Sequence, residues 1–314
     1  MNIQTKKIPV ILDTDPGTDI DDSYAIAYLL NCPELDIKLI TCATGDTTMR
    51  GDIVKRILIA ANRTNIPIAV GRNFKENKIL NHLKQYLKYN ETAVGKYPDA
   101  ATEIVKTINN SDEIITIISI APLTNIADAL KLDSSIASKA NFVGMCGSVY
   151  KGYEGKDGRC AEWNIFCDNE ASKLVFNKYP WHSMMIAPLD TCGDLTFDRE
   201  FLLELQNLNN PILIECLNSH LWWNASIKSG EDNGVPYPSE KFPEKTSPFY
   251  DLMAIYLTYS QEYLELEELA LIVENGTFVD AEEPVNKVKA AVRYQNRTAF
   301  VNHLKNRLCN IQYF

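Results

Sequence analysis

Short apolar runs alternate along the chain with segments of helical spacing, and polar residues follow each run. Runs of aliphatic and β-branched residues predict strands, whereas apolar positions three or four residues apart predict helices. The predicted strands are 8–12, 36–42, 66–71, 113–120, 141–146 and 183–190, and helices between them include 24–30, 49–62, 100–109 and 121–130. This alternation predicts right-handed crossovers and therefore an α/β fold with an open, mostly parallel sheet flanked by helices.

The second half of the chain continues this pattern less regularly. Further helices are predicted within 198–227 and at 249–257, and terminal strands at 270–273, 276–279 and 287–294 before a last helix. The polar stretches 72–96 and 228–248 have no clear strand and are interpreted as lid-like excursions. No repeat or composition break divides the chain, so a single domain over residues 1–314 is expected.

Two local details of the pattern bear on the site. Either Thr124 or Asn125 is available to cap the helix that begins near Pro122. The loop 148–161 contains three glycines and mixed charges, and we expect it to be mobile.

Composition narrows the range of partners. Of the 314 residues, 46% are hydrophobic and 23% charged, which is typical of a globular chain with a sizeable core. The formal net charge of −10 argues against nucleic acid and anionic membranes and favours a small molecule. Eight cysteines lack a C-x-x-C pair, and no signal peptide or membrane-length apolar run is evident. We therefore expect reduced thiols and a cytoplasmic protein.

The strongest chemical signal is a crowd of carboxylates between Ile11 and Ser23, where the first strand turns into a helix. A helix N-terminus can stabilise one or two anions, but five repel one another unless a cation lies among them or some are protonated. An oxygen-liganded site for a hard metal is the simplest interpretation. Because polar residues also follow other strands, a pocket is expected at the carboxyl edge of the sheet. The five acids of the turn are Asp13, Asp15, Asp19, Asp21 and Asp22.

Four motifs occur in a recognisable order and resemble one family. They are Asp13-Thr-Asp-Pro-Gly with Asp21-Asp22, Ala121-Pro-Leu-Thr-Asn125, Glu162-Trp-Asn164 and Tyr250-Asp251. From about residue 8 to 295 the chain resembles the inosine–uridine-type nucleoside N-ribohydrolases. The resemblance implies a Rossmann-like α/β fold, a tightly bound Ca²⁺, and hydrolysis of ribonucleosides to free base and ribose. It also implies nucleoside salvage and a homodimer or homotetramer.

The resemblance implies a metal site and a catalytic base. Asp15, Asp22 and Asp251 would bind Ca²⁺ through their side chains, and the main-chain carbonyl of Ile120 would be a further ligand. Asp21 would be the general base that takes a proton from the attacking water. The carboxylates would also stabilise positive charge that develops on the ribose in the transition state.

The resemblance assigns the substrate contacts less firmly. Glu162 and Asn164 resemble residues that hold the ribose hydroxyls. Asp46 stands where the family has Asn, and Tyr250 stands where it often has a His proposed to protonate the leaving base. A phenol of ordinary pKa near 10 is a weaker acid at neutral pH, so base preference stays open.

Two acids of the opening turn have supporting roles in this interpretation. Asp19 lies at the family's usual distance for the acid pair, but the pair Asp21-Asp22 follows two residues later. We align on the pair, since it directly precedes the helix, and Asp19 becomes an additional acid near the metal. Asp13 is expected to orient the turn.

Parts of the sequence also suggest two alternative functions. A haloacid-dehalogenase-type phosphatase is suggested by Asp13-Thr-Asp15, but Gly17 occupies the position where that motif requires Thr or Val. A catalytically weak nucleoside-binding homologue is suggested by the departures at Asp46 and Tyr250. Side chains that could reach the base from the excursions or the preceding helix are His82, His220, Trp222, Trp223 and Tyr237.

Overall fold

The structure is a computed structural model that describes residues 6–73, 81–229, 237–238 and 241–311. Nine strands in this part of the chain form one sheet. Their bounds are β1 Ile8–Thr14, β2 Leu35–Cys42, β3 Ile68–Val70, β4 Ile115–Ser119, β5 Ala140–Met145, β6 Ser183–Ala187, β7 Leu264–Glu274, β8 Thr277–Asp280 and β9 Lys287–Tyr294.

Helices cover both faces of this sheet. Their bounds are α1 Asp21–Leu30, α2 Thr47–Ala60, α3 Lys84–Tyr89, α4 Ala100–Asn109, α5 Thr124–Leu132, α6 Ile136–Lys139, α7 Trp163–Cys167, α8 Asn169–Asn177, α9 Leu189–Cys192, α10 Arg199–Asn207, α11 Pro211–Ser229, α12 Leu252–Tyr259 and α13 Arg297–Cys309. Helices α1, α2, α11, α12 and α13 contribute to one apolar core, and α4, α5 and α8 to a second.

The strand order is β3-β2-β1-β4-β5-β6-β9-β7-β8. All pairs from β3 to β9 are parallel, and β7 joins β9 and β8 antiparallel. The order reverses beside β1, so the ends of β1 and β4 flank a switch point where ligands bind in open α/β sheets. The predicted Rossmann-like, mostly parallel sheet is therefore confirmed.

Several predicted boundaries need correction. Strand β7 begins at Leu264, six residues before the predicted start, because its glutamates alternate with apolar residues on a partly exposed strand. Helix α7 ends at Cys167, and the carboxylate of Asp168 caps α8 by accepting the main-chain N–H of Ala171. Among the described residues, no helix has the length and apolar character to cross a membrane.

The prediction that Thr124 or Asn125 caps a helix was wrong. Helix α5 starts after Leu123, which has no side-chain acceptor. Thr124 instead donates to a carboxylate oxygen of Asp168 at 2.7 Å, and Asn125 donates to Oδ1 of Asp13 at 2.8 Å. Both side chains therefore connect the end of β4 to acids elsewhere rather than to their own helix.

Candidate active site

A small cavity of about 260 Å³ lies where the predicted residues converge. It is bounded by the turn after β1, the ends of β4 and β5, and the starts of α1, α7 and α12. Nine of the eleven predicted site residues line it: Asp15, Asp19, Asp21, Asp22, Ile120, Glu162, Asn164, Tyr250 and Asp251. A larger cavity of about 740 Å³ at the amino end of β2 contains none of the eleven. The position of the predicted chemistry, not cavity size, thus identifies the candidate site.

Three buried carboxylates meet at the side of this cavity formed by α1 and α12. Asp21, Asp22 and Asp251 each offer one oxygen, and these oxygens lie within 4.8 Å of one another. The main-chain N–H of Asp251 donates to Oδ2 of Asp21 at 3.2 Å, which joins the starts of α1 and α12. This arrangement brings together residues that are 230 positions apart in sequence.

The electrostatics of this cluster are unfavourable for three anions. Burial raises the pKa of Asp22 to about 6, and Thr14 and the Asp15 N–H, which both bond its carboxylate, limit the rise. Burial and neighbouring carboxylates raise the pKa of Asp21 and of Asp251 well above the usual range. A cation among hard oxygen ligands would remove this repulsion, so the cluster could hold a metal ion.

Asp15 faces the same cavity but is held differently. Its Oδ2 lies 3.3 Å from the hydroxyl of Thr44 and 3.5 Å from that of Thr18. Oδ2 is also 3.7 Å from Nη2 of Arg50, and both side chains are buried. Burial raises the pKa of Asp15, and the guanidinium opposes this rise. The closest oxygen cluster therefore comprises Asp21, Asp22 and Asp251, with Asp15 beside it.

Arg50 on α2 is a site residue that the sequence analysis missed. Its guanidinium donates to the main-chain carbonyls of Asp15, Pro16 and Thr44 and to the hydroxyl of Thr18. These bonds fix the turn between β1 and α1. The sequence contains one sign of a buried Arg50. The residue precedes Ile53 and Ile57 by three and seven positions, so it lies on the apolar face of its helix.

The opposite wall of the cavity is built by the start of α7. The Glu162 carboxylate accepts the main-chain N–H groups of Asn164 and Gly147, both at 2.8 Å, and of Ile165 at 3.2 Å. The Asn164 amide donates to the carbonyl of Met145 at 3.0 Å. Both predicted ribose ligands therefore line the cavity while also holding the local fold.

Three aromatic side chains complete the lining. Tyr250 packs edge-on against Tyr153, with ring centroids 6.2 Å apart and ring planes at 88°. The main-chain N–H of Trp163 donates to Oη of Tyr153 at 2.9 Å, and Trp163 is 36% exposed. Tyr153 is not among the predicted site residues, because it lies in the loop that the sequence predicts to be mobile.

Comparison with known proteins decides the family. Residues 10–302 match the model of the inosine-uridine preferring nucleoside hydrolase family. The chain belongs to this family. It is a hydrolase of N-glycosyl bonds, and the match also excludes the phosphatase alternative.

Relatives of the hydrolase are found among both sequences and structures. It is 33% identical over 238 residues to the pyrimidine-specific ribonucleoside hydrolase RihA of Escherichia coli O127:H6, covering 71% of this chain and 74% of that protein. A plant nucleoside hydrolase, PpNRh1, matches with a TM-score of 0.77 at 20% identity, over 97% of this chain and 100% of the other. The purine-preferring ribonucleoside hydrolase from Gardnerella vaginalis matches with a TM-score of 0.74 at 18% identity, over 96% and 98%. The two structures establish a shared fold.

Two predicted residues of the hydrolase lie outside the cavity. Asp46 is exposed, does not line this cavity, and caps α2 by accepting the main-chain N–H of Met49 at 3.1 Å, so its contact with substrate stays a prediction. Asp13 is fully buried behind the turn, and its Oδ1 accepts from Thr41 at 2.6 Å and from Asn125. Its Oδ2 has no hydrogen-bond partner among the described residues, and burial raises the pKa of Asp13 to about 7.

Asp19 lines the cavity and contacts the segment that precedes α12. Its Oδ1 accepts the main-chain N–H of Ile20 at 2.8 Å and the hydroxyl of Ser247 at 3.1 Å. Burial raises the pKa of Asp19. Asp19, which had no firm role from the sequence, therefore connects the turn after β1 to the segment before α12.

The side chains suggested to reach the base do not line the cavity of the described chain. His220 is buried and bonds Oη of Tyr24 at 3.0 Å, and His82 bonds the hydroxyl of Ser226 at 3.0 Å. The indole of Trp223 donates to the carbonyl of Thr18 at 3.2 Å. Trp222 and Tyr237 pack against each other and against Tyr89. Each of these five side chains thus contacts other groups of the protein.

Proposed function

We propose that this hydrolase cleaves the N-glycosidic bond of ribonucleosides to give free base and ribose, using Ca²⁺ and Asp21 as general base. The observation that carries the proposal is the cluster of buried carboxylates from Asp21, Asp22 and Asp251 within 4.8 Å of one another. It lies in a cavity whose other wall carries Glu162 and Asn164. Acids on one side and a polar wall on the other suit a small polyhydroxylated ligand.

The donor set supports a hard cation. Asp22 and Asp251 would hold it through carboxylate oxygens, with Asp15 and the carbonyl of Ile120 as further ligands from the same cavity. All of these are oxygens, which suits Ca²⁺ and its preference for six to eight such ligands. Bound there, a divalent cation supplies Lewis-acid activation of water and neutralises carboxylate charge.

Asp21 suits the role of base for two reasons. Its raised pKa gives the carboxylate a higher proton affinity than an exposed Asp, so it can take the proton that water loses as it attacks the anomeric carbon. Its Oδ2 is fixed by the main-chain N–H of Asp251, which restricts the carboxylate to one orientation. Neighbouring carboxylates stabilise the positive charge that develops on the ribose ring.

Tyr250 faces the cavity beside these acids. Burial and the negative charges of Asp19 and Asp21 raise the pKa of its phenol, so the group keeps its proton at neutral pH. It is therefore a hydrogen-bond donor toward the substrate rather than an anion. The groups around the nucleobase decide which nucleobase leaves most readily, and this preference is not assigned.

The test is release of ribose from a panel of purine and pyrimidine ribonucleosides. We expect release from at least one of them, and Asp21→Asn should abolish it without altering the circular dichroism spectrum. Asp112→Asn, an exposed acid with no side-chain partner in the described chain, is the matched control and should retain full activity. Absence of ribose from every nucleoside, with binding intact, would refute the proposal. Unchanged turnover in Asp21→Asn would show that another group is the base.

The proposal treats residues 1–314 as one hydrolase-like domain in which 72–96 and 228–248 act as lids. Contacts with the first turn support this: the main-chain N–H of His82 donates to the carbonyl of Gly17 at 2.8 Å, and Ser247 donates to Asp19. Residues 74–80, 230–236 and 239–240 of these segments lie outside the described residues. The cytoplasmic location, nucleoside salvage and assembly as dimer or tetramer stay predictions.

A further inference from the structure

The larger cavity, of about 740 Å³, lies at the amino ends of β1 and β2, whereas the candidate active site lies at the carboxyl ends of the strands. The ends of α1 and α13 also line it. Helix α1 separates the two sites, because the acid pair at its start lines the active site and Leu29 and Leu30 at its end line the larger cavity. A helix of ten residues spans about 15 Å. A ligand in the larger cavity would therefore not contact the substrate.

Positively charged side chains from three separate parts of the chain line this cavity. Lys7 precedes β1, Arg63 follows α2, and Arg307 lies in the last turn of α13. Among the described residues, the carboxylate of Asp36 is the one acid in the lining, and it pairs with Lys38 at 2.5 Å. The chain as a whole has a formal net charge of −10. A local excess of positive charge in such a chain favours an anionic ligand.

The guanidinium of Arg307 is held in one orientation. Its Nη1 donates to the main-chain carbonyl of Asn31 at 3.2 Å, and Nη1 and Nη2 donate to the two carboxylate oxygens of Glu34 at 3.2 and 2.8 Å. The group also lies over the ring of Tyr259, 5.4 Å from its centroid. The hydrogen on Nε and the second hydrogen on Nη2 have no acceptor in the described part of the chain. These two hydrogens lie on the same side of the guanidinium, so they can bind two oxygens of one phosphate.

The rest of the lining suits an organic group attached to the anion. Leu29, Leu30 and Leu35 are buried and give the cavity an apolar floor. The exposed side chain of Asn306 also lines the cavity, and its amide has no partner among the described residues. Side-chain amides of this kind hydrogen-bond to the edges of nucleobases, whose faces pack on apolar surfaces. The volume lies within the range of about 300–1,000 Å³ that is usual for small-molecule sites.

We propose that this cavity binds a nucleoside monophosphate, with the phosphate at the three cations and the base on the leucine floor beside Asn306. The proposal goes beyond the hydrolytic activity, because the ligand lies at the other end of α1 and is not a substrate there. The lining of the active site includes six carboxylates and disfavours the same anion. An uncharged ribonucleoside lacks the phosphate that the cations would bind. The two cavities would thus distinguish a nucleoside from its phosphate ester.

Calorimetric titration with uridine and adenosine 5′-monophosphates tests the proposal, in an Asp21→Asn background so that no ligand is hydrolysed. We expect at least one of them to bind with one molecule per chain. Lys7→Gln combined with Arg63→Gln should weaken this binding by about tenfold or more, the loss typical of a charge-assisted hydrogen bond. Lys6→Gln is the matched control, because Lys6 is adjacent to Lys7 but pairs with Glu113 outside the cavity, and it should leave the affinity unchanged.

Further ligands and one further variant make the test independent of hydrolysis. Ribose 5-phosphate should bind more weakly than the nucleotide, since it lacks the base, and Asn306→Trp should block binding by filling the cavity without removing a charge. Displacement of the nucleotide by the uncharged nucleoside would place it in the active site and overturn the proposal. Equal affinity for inorganic phosphate, unchanged affinity in the Lys7 and Arg63 double variant, or no binding of either nucleotide would also overturn it. None of these outcomes depends on whether the hydrolase releases ribose.

Discussion

Replacement of Arg50 by Met is expected to destabilise the hydrolase strongly while leaving most of the side-chain volume in place. Arg50 is 0% exposed. The change leaves three main-chain carbonyls, those of Asp15, Pro16 and Thr44, without their guanidinium donor. Each buried acceptor left unsatisfied costs about 1–3 kcal/mol.

Two estimates bound the expected loss in the free energy of unfolding. Three orphaned carbonyls together give about 3–9 kcal/mol, and removal of one partner of a buried ion pair costs about 3–5 kcal/mol. A loss of about 4 kcal/mol is therefore expected, which is a large share of the roughly 5–15 kcal/mol that stabilises a typical domain. Arg50→Lys keeps the charge but not the planar fork, so its loss should be smaller, at about 2 kcal/mol.

Urea unfolding followed by circular dichroism measures the change, and ribose release measures its effect on the turn. Lys55→Met is the matched control, because Lys55 lies on the same helix and is only partly buried. It should change stability by less than about 0.5 kcal/mol. A loss of stability below about 1 kcal/mol in Arg50→Met, with ribose release unchanged, would refute the idea that Arg50 holds the turn between β1 and α1.

Two further predictions concern pH and cations. Burial raises the pKa of Asp13 to about 7. Between about pH 4 and pH 7 this carboxyl is therefore protonated in the folded chain and ionised in the unfolded chain. Its contribution to the free energy of unfolding falls as the pH rises through this range. Asp13→Asn cannot ionise and should therefore lose about 2–3 kcal/mol less than the wild type between pH 5 and pH 8; equal losses in urea titrations would contradict this. Because the pKa values of Asp21, Asp22 and Asp251 are also raised, Ca²⁺ should increase the Tm of chelator-treated protein more at pH 8 than at pH 5, where protons compete with it. An equal shift at both pH values, or none, would exclude a cation site made of these acids.

Local patterns in the sequence predicted much of the fold. Helix α4 has the predicted bounds, because Asp99 caps it by accepting the main-chain N–H of Thr102 and the apolar spacing continues to Asn109. Strand β7 was predicted too short, since its exposed glutamates obscure the alternation. A periodicity rule succeeds where one face is buried and weakens where both faces are partly exposed.

Residues of the candidate site could be predicted where they are close together in the sequence. Asp21 and Asp22 are adjacent to the turn, so local reasoning found them, whereas Asp251 came only from the family resemblance. Arg50 and Tyr153 were missed because their partners are main-chain atoms that no pattern of side chains reveals. Asp46 has a structural role that the motif comparison did not suggest, since its carboxylate caps α2.

Strand β9 occupies an inner position in the sheet, so the sheet can be completed only after the last strand of the chain has been made. This strand, Lys287–Tyr294, pairs with β6 on one side and β7 on the other, although it is the last strand in the chain. During synthesis, the segment that carries Asp251 would emerge before the strand that ties the edge of the sheet to its centre. Contacts of such long sequence separation form slowly, because a large loop must close first. Binding of the proposed cation should therefore require that nearly the whole polypeptide has been made and folded. A ribosome-bound chain that ends before Lys287 is expected to bind no cation at the carboxylate cluster.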